Sequence, residues 1–389
     1  MEDSVVEQMR ISVNIQQEFR RIKIMKKLKK IIATTLLAAL TLSVSACGGG
    51  DTTADTQPDS SNDTTVQTGD TSPDTEAAED DSDQKENTEL TKVQIGIDAG
   101  VLAYLPILAE ENGYFEENGI ESELVSFAYG IDTLNAIVLG EVQIGAAYDY
   151  AAVTRLAQKS NLRLATSLIK NQPDAWWFET TVEGATKIED VKGKNVGYME
   201  GTVWEYLWAK EFESAGLTKE DFNMIPFSSN AEIITAYGAG SVDVAAGTTG
   251  VLTQLNAIDG RTTLNTTGDI GQTSQAYVLA DESFLTDQSD VFEGYLKALQ
   301  ESIDFIKENK EEAASIIADY LTLEKGDVAS SLDEYVIELT FSQEDYDHVQ
   351  DIADWAAENG VIEAIRIEDY TNSSAISAIY PDKVTYEAK

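Results

Sequence analysis

The chain has 389 residues and a formal net charge of −42, with 27 Lys and Arg against 69 Asp and Glu. Its length allows two or three domains. The acid excess argues against nucleic acid as a partner, because phosphate binding needs clustered cations, and suits a chain kept soluble in a salty or crowded exterior.

What positive charge there is clusters at the N-terminus. Met1 to Ala46 carries eight Lys and Arg and four acids, a surplus of four, so the remainder holds −46. Lys26, Lys27, Lys29 and Lys30 precede an apolar run, Ile31 to Ala46, that is short for a bilayer and ends in small residues. Residues 1–46 therefore read as a secretory signal, with Met25 as a candidate true start because acids precede the basic cluster. The only cysteine, Cys47, directly follows Val44-Ser45-Ala46. That arrangement resembles the bacterial lipoprotein box and implies a lipid on Cys47, hence an extracytoplasmic chain anchored to the membrane. A lone cysteine has no disulfide partner within the chain. Residues 48–90 hold thirteen acids against Lys85 and almost no large apolar side chains. Residues 47–90 are accordingly expected to be the lipidated cysteine and a disordered, charge-extended tether.

From Lys92 the pattern turns to short strands and helices. Val93 to Ile97 alternates as a strand, and Leu105 to Asn112 predicts a helix stopped by Gly113, since glycine takes the left-handed cap freely. Tyr114 to Asn118 adds one turn before Gly119 and the strand Ser122 to Phe127, leaving Tyr114 and Phe115 to pack between helix and sheet. Farther on, Leu134–Ala147 and Ile234–Gly247 match at an offset of 100 residues: Ala136, Gly140, Val142, Ile144 and Ala146 fall on Ala236, Gly240, Val242, Val244 and Ala246. Each copy reads as an amphipathic helix, a capping glycine and a strand. Two copies so far apart predict two similar α/β lobes rather than a solenoid, although one common connection reached twice would read the same. A further strand and turn follow from Gln275, then helical patterns over 291–309, 311–321 and 346–359.

Six pieces in this order resemble one family, the periplasmic-type solute-binding proteins of the nitrate, sulfonate, taurine and thiamine-precursor importers. The pieces are Pro106 on the first helix; Gly113-Tyr114-Phe115 with Gly119-Ile120; Ala136 with Gly140 and the strand after it; Ile188 to Thr202, "IEDVKGKNVGYMEGT"; Ala215-Gly216-Leu217 with Asp221; and Gly240-Ser241-Val242-Asp243. They run from about Val93 to Ile317. The resemblance implies a two-lobed periplasmic-binding-protein-like α/β fold of type II, with two crossover strands and a ligand cleft between the lobes. Residues 91–178 and 277–389 would form lobe 1 and residues 179–276 lobe 2. It also implies an ABC permease and ATPase as partners and a monomer that binds a small molecule.

In open α/β sheets ligands lie beyond the carboxyl ends of the strands, near helix N-termini. That geometry selects Asp98 and Tyr104 after the first strand, Tyr129 and Gly130 after the second, and Tyr148 and Asp149 after the third. In the second lobe it selects Glu200, Gly201, Thr202 and Trp204, then Thr248 and Thr249, with Trp176 and Trp177 by the crossover, Trp177 being the one favoured for the site. Each has a plainer use: aspartates cap helices, turn glycines release strain, and aromatics fill cores. The four arginines beyond the tether, Arg155, Arg163, Arg261 and Arg366, all miss the expected strand ends. Aromatic faces edged with carboxylates favour a flat nitrogen heterocycle, such as a pyrimidine thiamine precursor, or an amine. A sulfonate, taurine or nitrate held by helix N-termini and hydroxyls is the alternative. No zinc spacing, P-loop or nucleophile elbow occurs, and the one histidine, His348, lies in an acidic helical run. No enzyme activity, metal or cofactor is expected; a sensor domain or a pyrimidine-forming enzyme is the lesser alternative.

Overall fold

The computed structural model describes residues 90–387, apart from 159, 249, 250, 252, 253 and 256. The signal, Cys47, the tether and Thr249 thus lie outside the described residues. What is described belongs to one compact unit, Asp83–Lys389, built on two sheets.

The first sheet takes β1 (Thr91–Ile97), β2 (Ile120–Ser126), β3 (Ile144–Tyr148), β4 (Leu162–Asn171), β10 (Gln275–Asp281) and β11 (Tyr335–Thr340) in the order β11-β4-β10-β3-β1-β2. The second takes β5 (Trp176–Thr180), β6 (Asn195–Tyr198), β7 (Asn223–Pro226), β8 (Val244–Thr248) and β9 (Thr262–Thr266) in the order β7-β6-β8-β5-β9. In each sheet three parallel strands meet one antiparallel strand, β10 against β3 and β5 against β8. The eight longer helices are α1 (Tyr104–Asn112), α2 (Gly130–Leu139), α3 (Asp149–Leu156), α4 (Val203–Ser214), α5 (Asn230–Gly238), α6 (Ser289–Glu308), α7 (Lys310–Leu321) and α8 (Gln343–Glu358).

The doubled stop after α1 forms as expected. Gly113 and Gly119 sit at φ 86° and 81°, where a side chain would be strained, and Tyr114–Glu117 makes a single turn between them. Phe115 is fully buried and stacks on Tyr295 of α6 at 5.9 Å, whereas Tyr114 stays half-exposed. Only one of the two aromatics is therefore core.

The chain crosses between the sheets twice, at residues 172–175 and 267–274. The crossings are tied to each other: the Gly268 N–H and the Thr267 hydroxyl both donate to the Pro173 carbonyl, at 2.7 and 3.0 Å. The expected lobe boundaries shift slightly. Trp176 to Phe178, assigned above to lobe 1, are hydrogen bonded in the second sheet, and Gln275 and Ala276, assigned to lobe 2, open β10 in the first. The break falls at the Pro173-Asp174 turn rather than after the tryptophans, because Trp176 and Trp177 pair at once with Thr248 and Gly247. No helix among the described residues is long and apolar enough to cross a membrane.

Candidate functional site

At the end of β1 the Asp98 carboxylate accepts the Gly100 N–H at 3.0 Å and turns back over the helical turn Val101–Ala103. Burial pushes its pKa up to about 6, against the pull of backbone N–H groups at Gly100 and Ala103. Among the described residues no lysine or arginine pairs with it. Next to it Tyr104 is buried and its hydroxyl meets the Ser331 hydroxyl at 3.0 Å. Tyr148, ending β3, sets its ring edge-on against Trp176 at 5.2 Å, and Trp176 packs on Trp204 of α4 at 5.0 Å. Tyr335, opening β11, approaches both Tyr148 and Trp176. Burial, then the neighbouring Tyr335 and Asp98, raise the Tyr148 pKa and keep that phenol protonated. The buried Tyr148 hydroxyl and Trp176 indole N–H both lie against the Tyr335 hydroxyl. The result is a carboxylate with no lysine or arginine partner among the described residues, near the Tyr104 and Tyr148 phenols, with Tyr335 and the Trp176–Trp204 pair beyond them.

The other expected residues divide. Thr202 caps α4, accepting the Trp204 N–H at 3.3 Å and donating to the Met199 carbonyl at 2.8 Å. Thr248 lies in register with Trp176. Trp177 points to the opposite face of β5 from Trp176, since side chains alternate along a strand; Trp204 pairs with Trp176 instead. Asp149 is wholly buried and occupied internally. Its carboxylate accepts the Tyr150 N–H at 2.7 Å and the Gln275 N–H at 2.8 Å, and meets His348 Nε2 at 2.8 Å. It joins β3, β10 and α8, and is a structural clamp rather than a ligand contact. Gly130 is likewise structural, because a Cβ there would lie 2.7 Å from the Ala146 carbonyl oxygen.

The helix N-termini of the two lobes do meet. Burial raises the Tyr129 hydroxyl pKa, and a hydrogen bond from the Asn230 backbone at the start of α5 opposes it. Gly201, at φ 72°, leaves room for Ile131, whose Cδ1 would be 3.2 Å from a Cβ there. Behind them lies a cavity of about 380 Å³ between α3, the loop at 361–363 and the start of α4. Tyr150, Arg155, Glu200, Gly201, Glu205 and Glu363 line it. Its inner side is closed by Tyr150, stacked on Tyr206 at 6.2 Å, with Trp355 of α8 edge-on to Tyr206 at 5.0 Å and donating to Glu213 at 2.9 Å.

Sequence reasoning named both tryptophans at the crossover and favoured Trp177, and it missed Tyr335. Strand parity decides between the two in favour of Trp176, which shares a face with Phe178, and Phe178 also touches Trp204. Tyr335 carries no local signal; β11 brings it in from far along the chain.

The family model described as NMT1/THI5 like matches residues 104–313. The chain belongs to the NMT1/THI5-like family. Tyr104, Tyr148, Trp176 and Trp204 fall inside that match; Asp98 precedes it and Tyr335 follows it. A Brucella abortus (strain 2308) protein named only as a binding protein is 21% identical over 227 residues, 57% of this chain and 68% of its own. The periplasmic aliphatic sulphonate binding protein SsuA from Escherichia coli has the same fold at TM-score 0.64 and 20% identity, covering 77% of this chain and 94% of that one. The periplasmic nitrate-binding protein NrtA from Synechocystis PCC 6803 matches at TM-score 0.58 and 15% identity, over 76% and 91%. The two-lobed periplasmic-binding-protein-like fold expected for this family is therefore the fold of this chain.

Proposed function

We propose that this NMT1/THI5-like chain is an extracytoplasmic, lipid-anchored binding protein that captures a small solute between its lobes. It hands the solute, chemically unchanged, to the permease and ATPase of an ABC importer, and works as a monomer. The solute is a nitrogen heterocycle, such as a pyrimidine thiamine precursor, or an amine. One observation carries this choice: Asp98, a desolvated carboxylate with no cationic partner among the described residues, lies near Tyr104 and Tyr148, with Tyr335 against Tyr148. A cation or N–H donor supplies the missing partner, and ring faces stabilise it further. The tied crossings at Pro173 and Thr267 suit a hinge between the lobes.

A sulfonate or nitrate is the second reading, favoured by the apposed N-termini of α2 and α5 and by what the Escherichia coli and Synechocystis proteins are named for binding. A thermal-shift panel on the full chain separates the two. Ligand binding to the native state raises Tm with ligand excess over Kd. Heterocycles and amines are expected to raise it and Asp98→Asn to abolish the rise; a rise with sulfonates or nitrate alone, indifferent to Asp98→Asn, sinks the first reading.

A further inference from the structure

One helix of the first lobe reaches the second. α8 buries Val349, Ile352, Ala353 and Ala356 and packs on α3, and His348 near its start meets the Asp149 carboxylate at 2.8 Å. Near its far end the half-buried Trp355 crosses to α4 of the second lobe. There its indole ring stands edge-on to Tyr206 at 5.0 Å, and its N–H donates to Glu213 Oε1 at 2.9 Å. On its own lobe the ring meets Tyr150, edge-on at 6.3 Å. Its shorter ring contact and its hydrogen bond are thus both with the other lobe.

On α4 the receiving side is held in place. Tyr206 is buried, and its hydroxyl donates to the Gln272 side-chain oxygen at 2.9 Å, in the second crossing between the lobes. Two turns farther along, Glu213 gives its other oxygen to Lys210 of the same helix at 2.8 Å. The acceptor is therefore oriented before an indole reaches it, which lowers the entropy lost in making the bond. The same structure holds the lobes together at the cleft, with Ile131 of α2 against Gly201 ahead of α4. The Trp355 contacts accordingly belong to the closed arrangement. Turning the lobes apart about the crossings draws α4 away from α8 and gives up a ring pair and a hydrogen bond. Both lie outside the Asp98 cluster, since the partners are Tyr150, Tyr206 and Glu213.

We infer that Trp355 and Glu213 form a latch between the lobes, which sets how much of the chain is closed without either residue touching the solute. Closure is an equilibrium between two arrangements, and any contact made in only one of them shifts it. The inference rests on the reading above only in needing lobes that move, whatever the solute. It also separates the latch from the core: α8 keeps its buried face and its His348 tie when the indole is removed, so losing Trp355 loosens the lobes and not the fold.

The test reads the distance between lobes in the full chain without added solute. With Cys47→Ser removing the only cysteine, nitroxide labels go on Leu139→Cys and Ala239→Cys, exposed counterparts at the ends of α2 and α5. Double electron–electron resonance then gives the closed and open fractions, and circular dichroism checks that each variant is folded. The latched chain is expected to show a closed population. Trp355→Ala should lower the closed-to-open ratio roughly tenfold, the size of an aromatic pair plus one hydrogen bond. Trp355→Phe and Glu213→Ala should each lower it roughly threefold, and together no further than either alone, because they remove the same bond. Should Trp355→Ala not fold, the two milder variants carry the test. The latch is overturned if the labelled chain is wholly open, if no variant moves the ratio, if the variants close the lobes further, or if the two milder losses simply add. The thermal-shift panel judges solute capture separately, so a failed latch leaves that reading standing, and a chain that binds none of the panel leaves the distances to decide the latch.

Discussion

Residues 129–148 and 229–248 are the same unit built twice, almost bond for bond. Asp132 and its counterpart Glu232 each accept a backbone N–H ahead of their helix, from Tyr129 at 3.2 Å and, one residue earlier in the second copy, from Ser228 at 2.9 Å. After the capping glycines, the Glu141 and Ser241 N–H groups both return 2.9 Å to the carbonyls of Ala136 and Ala236. Gln143 takes the Gln94 N–H at 2.8 Å, and Asp243 takes the Asn195 N–H at 2.9 Å, so each copy is latched to its neighbouring parallel strand by one side chain. The likeness ends at the strand tips. Tyr148 and buried Asp149 end the first copy, and Thr248 ends the strand of the second. The comparison teaches that the duplicated part is scaffold, and that the chemistry was added at the ends, with carboxylate and phenols on one lobe and an indole wall on the other.

Breaking the clamp unique to the first copy should have the largest effect. Asp149→Asn loses the carboxylate that holds two N–H groups and His348, and is expected to cost about 2–3 kcal/mol in urea unfolding. Next, Gly130→Ala forces a Cβ to 2.7 Å from a backbone oxygen and 2.9 Å from the Ala147 Cα, for a loss of about 1–3 kcal/mol. Its counterpart Asn230→Ala should stay within about 0.5 kcal/mol. Equal losses in the two variants would mean that the copies are not distinguished by packing there.

Two desolvated carboxylates, half-buried Asp98 and buried Glu211, sharpen the contrast between the lobes through pH. Asp98 binds its proton more tightly folded than unfolded, so through this group apo stability rises as pH falls from about 6 toward 4. Binding of a permanently cationic probe must move the other way, weakening as pH drops through about 6, and a flat affinity profile between pH 5 and about 7 would remove Asp98 from the site. In the second lobe burial pushes Glu211 up to about 7, although Asn265 donates to it and opposes the shift. Glu211→Gln is therefore expected to raise Tm slightly at about pH 8, where the wild-type carboxylate is charged, and to do almost nothing at about pH 5. It should leave ligand affinity alone, because Glu211 faces Asn265 rather than the cleft.

Much of this was legible in one dimension. The Gly113 and Gly119 stops, the repeated helix–glycine–strand unit and the two-lobe fold follow from where glycine must sit and from periodicities of 3.6 and 2, which are local properties. Of the residues picked for the site, Asp98, Tyr104, Tyr148 and Trp204 come together because strand ends and helix starts converge by topology. Asp149 did not join them, since an aspartate before a helix reads identically whether it faces a ligand or a histidine 199 residues away.

The sequence by itself determined the scaffold, its duplication and its acidity, because these rest on short-range backbone preference and on summed charge. Only the tertiary structure decided which tryptophan turned inward, that β11 would carry Tyr335 to Tyr148, and that Trp355 would reach Glu213 on the other lobe. Those outcomes depend on which distant surfaces are pressed together. Desolvation and pairing, the forces that make such groups useful, exist only once they are.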